Sequence, residues 1–473
     1  MTRIALLGLA AATLVTESRA QCSLQAAALT GLDGAVYTSA AWDPDGAGPL
    51  PPRLLVGGSF TTAGGLTANG VAAYDLQTGS WSVFGTGVSG AVYCVVALPG
   101  GSFAVGGTFA SAGGVPANNV ALWTGTGWAA LGAGWPSPMT VMLGAPNGEL
   151  LAAHAGASFV VSRWDGVGWT TLGSSAPGVH LAVTDTGDIL VGGWSGIWRW
   201  TGTAWVPHAS GVTHAWSLAT LPGGRLFAAV SYLAPHFAIF DGTTWTQLGG
   251  TITRGYSGPI VSDVEVLPSG DLAVSGFFTF GLPGPGHFMR WNGSTWTPLG
   301  GNPAGNGSIT TLTFMPEGQL FAGSALSNYL GRLASTCAAQ SAPSGAGCAS
   351  TGGANALAVE KLPWIGSTYR ARATGLPAVA LVTEVYGFSP LALPLASVLP
   401  QGQPGCLLHV WPDFIDLTIA VAGTATTELV VPAASSLVGI GFHNQMNVFE
   451  LDATGTIAAV TASNALSLTV GAF

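Results

Sequence analysis

The sequence predicts an all-β chain, a seven-bladed β-propeller followed by a C-terminal β-sandwich. Three observations carry that prediction. An apolar strand, a Pro/Asp-x-Gly turn and a second apolar strand recur seven times between residues 34 and 334. The turns are Asp45-Gly46, Pro99–Gly101, Pro146–Gly148, Asp185–Gly187, Pro222–Gly224, Pro268–Gly270 and Pro316–Gly318. A hairpin closing on Trp recurs six times, at Trp81, Trp128, Trp169, Trp205, Trp245 and Trp296. From residue 355 the Trp period is gone, and short alternating strands run on without helical periodicity. A repeat of about 40 residues with about four short strands is the pattern of propeller blades, which bury both faces against their neighbours.

Composition bounds the function classes. The chain has 473 residues, of which only 7% are charged; Lys361 is the single lysine and the net charge is −9. Nucleic-acid binding needs a basic stripe, and this chain has none. Mean hydropathy is +0.48, but Gly (71) and Pro (29) interrupt every apolar run past the N-terminus. No stretch approaches the roughly 18 apolar residues of a spanning helix. In a membrane β-barrel ending at Phe473, the lipid-facing residues would share its phase. Ser467, Thr469 and Gly471 hold those positions, against that reading.

In chain order, residues 1–20 read as a secretory signal peptide. Arg3 precedes the apolar segment Ile4–Val15, and Ser18 and Ala20 offer small residues before a cut at Gln21. Arg19 and Gln21 do not fit a lipoprotein signal before Cys22. The expected product is exported, extracellular or in the cell envelope. Residues 21–337 hold the propeller. Its tight turns need positive φ, which Gly and Asn adopt cheaply. The pairs Gly57-Gly58, Gly106-Gly107 and Gly192-Gly193 let strands crowd together, and each Trp covers a large apolar area. Seven turn markers against six Trp hairpins leave one blade short of a strand. The seventh unit stops at Cys337, while Cys22–Leu29 is a spare strand-like piece. Pairing the two closes the ring, and a Cys22–Cys337 disulfide is expected across that hairpin. Cys348 and Cys406 form the second expected pair, with Cys337–Cys348 the competing connectivity. Cys94, inside the apolar run VYCVV, is left as a buried free thiol. Residues 338–354 read as a small-residue linker and 355–473 as the β-sandwich domain.

The strand ending in Gly57-Gly58, followed by Tyr74-Asp75 and Trp81, resembles the kelch repeat. The resemblance spans residues 34–334 and implies a galactose-oxidase-like propeller. Later units depart from it, because the diglycine is lost after Gly193 and the hairpin shortens to D/N-G-x-x-W. The segment Asp241–Trp245 is also similar to the Asp-box of sialidase propellers, without its Asp-x-Gly spacing. The overall arrangement resembles secreted bacterial proteins that join a β-propeller to a β-rich C-terminal domain, which implies no particular activity.

Candidate site residues come from aligning the blades. The position of Cys94 corresponds to Val141, His180, Ser217, Asp263 and Thr311 on strands expected to line the channel. His180, His214, Asp263 and Glu265 are therefore candidate ligand-binding residues at one channel mouth. Asp43 and Asp45 alternate around a turn and are a candidate calcium loop. No His or Cys spacing makes a metal motif, and no GxSxG, SxxK or Cys-His arrangement occurs. No segment resembles the copper-ligand motifs of galactose oxidase, so neither cofactor nor catalytic residue is assigned. Asn292 and Asn306 stand in glycosylation acceptor patterns. The expectation is an exported, non-enzymatic binding protein with a protein or glycan partner at the cell surface. The alternative is a carbohydrate-active enzyme or galactose-oxidase-like oxidoreductase working on the propeller face. A structural envelope component is a third reading.

Overall fold

Turn chemistry cuts the first two thirds of the chain into short strands, and the strands pair mainly with their sequence neighbours. The computed structural model describes residues 22–473 apart from 47, 49, 136, 156–158, 174–175, 177, 179, 194, 209–211, 213, 231–236, 250–259, 278–287, 301–302, 304–307, 327 and 453. The expected signal peptide and Asn306 lie outside the described residues.

Among the described residues, 24–335 form seven four-stranded antiparallel sheets. The first contains Val36–Trp42, Arg53–Gly58, Val71–Asp75 and Ser80–Val83, in that order. The second runs from Ala91–Ala97 to Trp128–Ala130. The next four begin with Val141–Gly144, His180–Val183, Ala215–Leu221 and Ile260–Val266. The seventh holds Ile309–Met315, Gln319–Ser324 and Leu330–Ser335, and Leu24–Ala28 completes it antiparallel to Leu330–Ser335. The first strand of each sheet is its inner strand. Inner strands of successive sheets pack together, and that of the seventh returns to that of the first. This is a β-propeller arrangement.

Glycine permits the close approach of the sheets. A Cβ on Gly57 would lie 2.6 Å from Cγ1 of Val92 in the next inner strand, and one on Gly58 only 1.9 Å from the Ala35 carbonyl oxygen. Gly106 and Gly107 repeat the device against Met139 and Ala91. At the rim, Trp supplies apolar area and one N–H donor. The indole of Trp128 donates to the Phe84 carbonyl (2.8 Å), Trp169 to Leu131 (3.2 Å) and Trp205 to Leu172 (3.0 Å). Each of these bonds reaches back to the preceding sheet.

The remainder forms a second β unit. A six-stranded sheet contains Gln340–Ser344, Ala465–Thr469, Gly441–Leu451, Val379–Gly387 and Phe414–Val421, with Ile457–Ala462 paired to Gly441–Leu451. A three-stranded sheet contains Ala356–Lys361, Thr368–Thr374 and Ala425–Val430. Tyr369 and Ala371 of the smaller sheet share one buried core with Val382, Met446, Val448 and Leu466 of the larger. The expected linker is corrected here. Residues Gln340–Ser344 pair with Ala465–Thr469 as an edge strand, and Ala349–Ser350 with Gly353–Ala354 as a small hairpin. Small residues read as a linker by composition, yet they suit a strand that hydrogen-bonds through its backbone.

Cys22 is bonded to Cys337 and Cys348 to Cys406, while Cys94 is a buried thiol pushed up to about 12 by burial. The two units meet at sheets six and seven. Trp364 lies on Gly318, where a Cβ would come within 2.1 Å of the indole. Phe473 packs edge-on to Phe314 with centroids 5.0 Å apart. Arg290 donates to the Phe473 carbonyl at 2.8 Å and to Asp271 at 2.6 Å. Replacing Cys22 and Cys337 together by Ser should lower unfolding stability by about 2–5 kcal/mol. Denaturant titration of the non-reduced protein reads that loss, and an unchanged midpoint would refute the stapling role.

Candidate functional site

Strand register defines the innermost positions. Thr38 pairs with Gly57, Cys94 with Gly106, Val141 with Ala153, His180 with Gly192, Ser217 with Ala229, Asp263 with Ser275 and Thr311 with Gly323. These are equivalent positions in the seven sheets. In five of them the register shifts just before this residue. Such a bulge re-aims a side chain.

The re-aimed polar side chains stitch one sheet to the next. Thr38 Oγ1 accepts from Val95 N (3.3 Å), Thr311 Oγ1 from Ser39 N (3.1 Å) and Asp263 Oδ2 from Leu312 N (2.7 Å). Thr311 also donates to Asp263 Oδ2 at 3.2 Å, and Asp263 Oδ1 accepts from Val264 N at 2.8 Å. Two residues along the same face, Glu265 Oε1 accepts from Phe314 N at 3.2 Å. The two carboxylates therefore serve alternate N–H groups on the exposed edge of the seventh inner strand.

Their acidity is shifted accordingly. Burial pushes Asp263 up from 3.8 to about 6, against the hydrogen bonds it accepts. Burial first, and then the negative charge of Asp263, push Glu265 from 4.5 up to about 8. At neutral pH Asp263 is mainly ionised and Glu265 mainly protonated, the division of states that two neighbouring carboxyls adopt when only one charge is tolerated.

Glu265 also opens onto a cleft of about 680 Å³ between the propeller turns and the second β unit. Pro222, Pro268 and Pro316 wall one side, with Phe314 and Trp364 beside them and Glu360, Lys361 and Arg370 across. Arg370 bridges Glu360 (3.2 Å) and Glu428 (3.3 Å), and Arg372 also pairs with Glu360.

The other sequence candidates lie elsewhere. His180 opens the inner strand of sheet four, where burial lowers its pKa, and His214 precedes that of sheet five with a positive φ of 63°. The structure brings Asp263 and Glu265 together and leaves these histidines on other sheets. Asp43 accepts from the backbone N–H of Asp45 (3.2 Å) and Gly46 (3.0 Å), while Asp45 accepts from Leu50 N (3.1 Å). Both acids organise a turn. Among the described residues no group of three or more His, Cys, Asp and Glu is placed to hold a metal. The cleft wall from Glu360 to Arg370 was missed by the sequence reading. The alternation of Arg370 and Arg372 with alanines marked a half-exposed strand, but nothing local to it points to Glu265.

No protein-family profile and no curated protein matches the chain. Solved structures with which it shares likeness include YCF48 bound to a D1 peptide (17% identity, TM-score 0.42, 66% of this chain and 96% of that one). The WD40 β-propeller domain of Doa1 matches at 15% identity and TM-score 0.43, over 66% of this chain and 96% of that one. A putative gluconolactonase matches at 9% identity and TM-score 0.37, over 66% and 92%. At this distance none of them speaks to function, and the β-propeller arrangement rests on the strand pairings themselves.

The pH dependence of stability follows from the two carboxyls. Their folded pKa values exceed the unfolded ones, so the native state keeps protons that the unfolded chain releases. Stability is therefore expected to fall as pH rises from about 4 to about 8. Thermal melts should show Glu265→Gln flattening the upper part of this fall. Parallel curves for wild type and variant would refute the assignment.

Proposed function

We propose that this chain is an exported interaction protein. In this reading a seven-bladed propeller, closed by its N-terminal strand, is coupled to a C-terminal β-sandwich and takes a segment of a cell-surface protein in the cleft between them. The observation that carries the reading is the state of the cleft's acids. Glu265 accepts from the Phe314 N–H and its neighbour Asp263 from that of Leu312, while Glu360 is held by Arg370 and Arg372. The rest of the wall offers proline, aromatic ring and backbone, surfaces that suit an extended peptide, with Lys361, Ser367 and Thr368 beside them. Two disulfides support export, because such bonds persist in oxidising compartments. Peptide display on the exported protein tests the reading. Selected peptides should bind Thr368→Trp, which narrows the cleft, about tenfold or more weakly. They should bind Val167→Glu, on a distant exposed turn, as tightly as wild type. Glycan-array binding with no peptide selected would overturn the protein partner in favour of a glycan.

A second reading, a carbohydrate-active enzyme, has one observation in its favour. Glu265, pushed up to about 8, opens onto the cleft, and Asp263, at about 6, lies buried behind it, an acid next to an ionised carboxylate. Hydrolysis of a glycan substrate would then peak between pH ~6 and ~8 and be lost in Glu265→Gln. A screen of glycan substrates without turnover removes this reading.

A further inference from the structure

The six-stranded sheet has one face in the core and one outside. Ala380, Val382 and Ala420 point into the core shared with the smaller sheet. The alternate residues point outward, and along Phe414–Val421 they are Ile415, Leu417, Ile419 and Val421, 53–65% exposed. Register pairs Leu381 with Ile419 and Val379 with Val421, so the row continues onto the neighbouring strand, where Val379 is 75% exposed. Phe449 lies opposite Leu381 on the third strand, and Leu451 follows on its exposed end. Part of this outer face is covered. Val385 packs under Val410, and Phe449 under Leu395 and Leu408, residues of the segment Pro390–Val410. The remainder, toward Val421, is bare. Phe414–Val421 is also the last strand of its sheet.

We infer that this bare face packs against the same face of a second copy of the chain. The outward row from Val379 to Thr383 and from Leu417 to Val421 carries no charge, the nearest acids, Glu384 and Asp416, belonging to alternate positions that face the other way. A partner recognised by charge would find nothing there to read. A two-fold axis through such a row sets aliphatic side chains on aliphatic side chains, so the surface is its own complement. The area agrees. Val379, Leu381, Ile415, Leu417, Ile419, Val421 and Leu451, 36–75% exposed, present an aliphatic area on the order of the 800 Å² per partner of a stable pair, above the 300–600 Å² of ordinary surface patches. Two such faces stack as sheets about 10 Å apart, as in any β-sandwich. The segment Pro390–Val410 forms a step beside the patch and limits how far each copy can slide.

Sedimentation velocity of the exported chain, over a dilution series in the micromolar range, tests this. Wild type should sediment with the mass of two chains. Leu417→Glu with Ile419→Glu should weaken association at least about 100-fold, since each carboxylate would be buried unpaired. Both positions are exposed in the single chain, so far-UV circular dichroism and melting temperature should stay near wild type. Ile419→Cys should form cross-linked dimers on oxidation. A one-chain mass at every concentration, or an assembly that the double Glu variant leaves intact, would overturn the inference.

Discussion

The seam between neighbouring inner strands is the constraint on which the propeller depends. Each four-stranded sheet leaves its inner strand as an open edge, a row of backbone N–H and C=O groups without ladder partners. Near the axis the edges are too crowded for further strands. Side chains take over, placed in five of the seven inner strands by a bulge that re-aims one residue. At sheet six the work falls to Asp263 and Glu265, which accept from Leu312 and Phe314. At the closing seam it falls to hydroxyls. Ser39 Oγ bonds the hydroxyls of both Thr311 and Thr313, and Thr310 donates to the Val36 carbonyl at 2.6 Å. These short-range bonds cost little desolvation where Ser and Thr make them. They cost more with carboxyls, whose raised pKa values record the expense.

The rim solves the same problem with different chemistry. There the sheets diverge, and a small hydroxyl would not span the gap. In sheets two, three and four a tryptophan on the outer strand fills the space and reaches the preceding sheet with its single N–H. Sheet seven borrows its outer strand from the chain's N-terminal segment, and the Cys22–Cys337 bond holds the ends of that loan. Closure thus brings distant parts of the chain together, with backbone pairing, inner-strand hydroxyls and a covalent bond acting at one sheet.

The second β unit is seated on sheets six and seven, beside the carboxyl pair. Trp364, Phe473 and Ala339 join one buried cluster with Leu267, Leu312 and Leu333. Beside this docking, the turns at Pro222, Pro268 and Pro316 wall the cleft. Glu265 is placed at its edge by the strand that also makes it a seam residue. One side chain thereby belongs both to the seam of the ring and to the wall of the cleft.

Much of the fold was legible in the residues because it is local and repeated. The Pro/Asp-x-Gly turns specify positive φ, the diglycines specify close approach, and Trp81 to Trp296 mark the outer strands at intervals of 36 to 51 residues. The equivalence of Cys94, His180, Asp263 and Thr311 also follows from counting along the strands, since register is set by the turn that follows each inner strand. What each of those positions does was decided only by tertiary structure. Asp263 reads as a channel carboxylate until Leu312, 49 residues on, presents its N–H. The same holds for Gln340–Ser344, whose small residues look like a linker until Ala465–Thr469 supplies the pairing edge. The bare row from Leu417 to Val421 alternates like any half-buried strand, and only the placement of Pro390–Val410 determines which part of that face is covered. Local geometry is encoded in neighbouring residues, whereas a partner contributed from far along the chain leaves no mark on the segment that receives it.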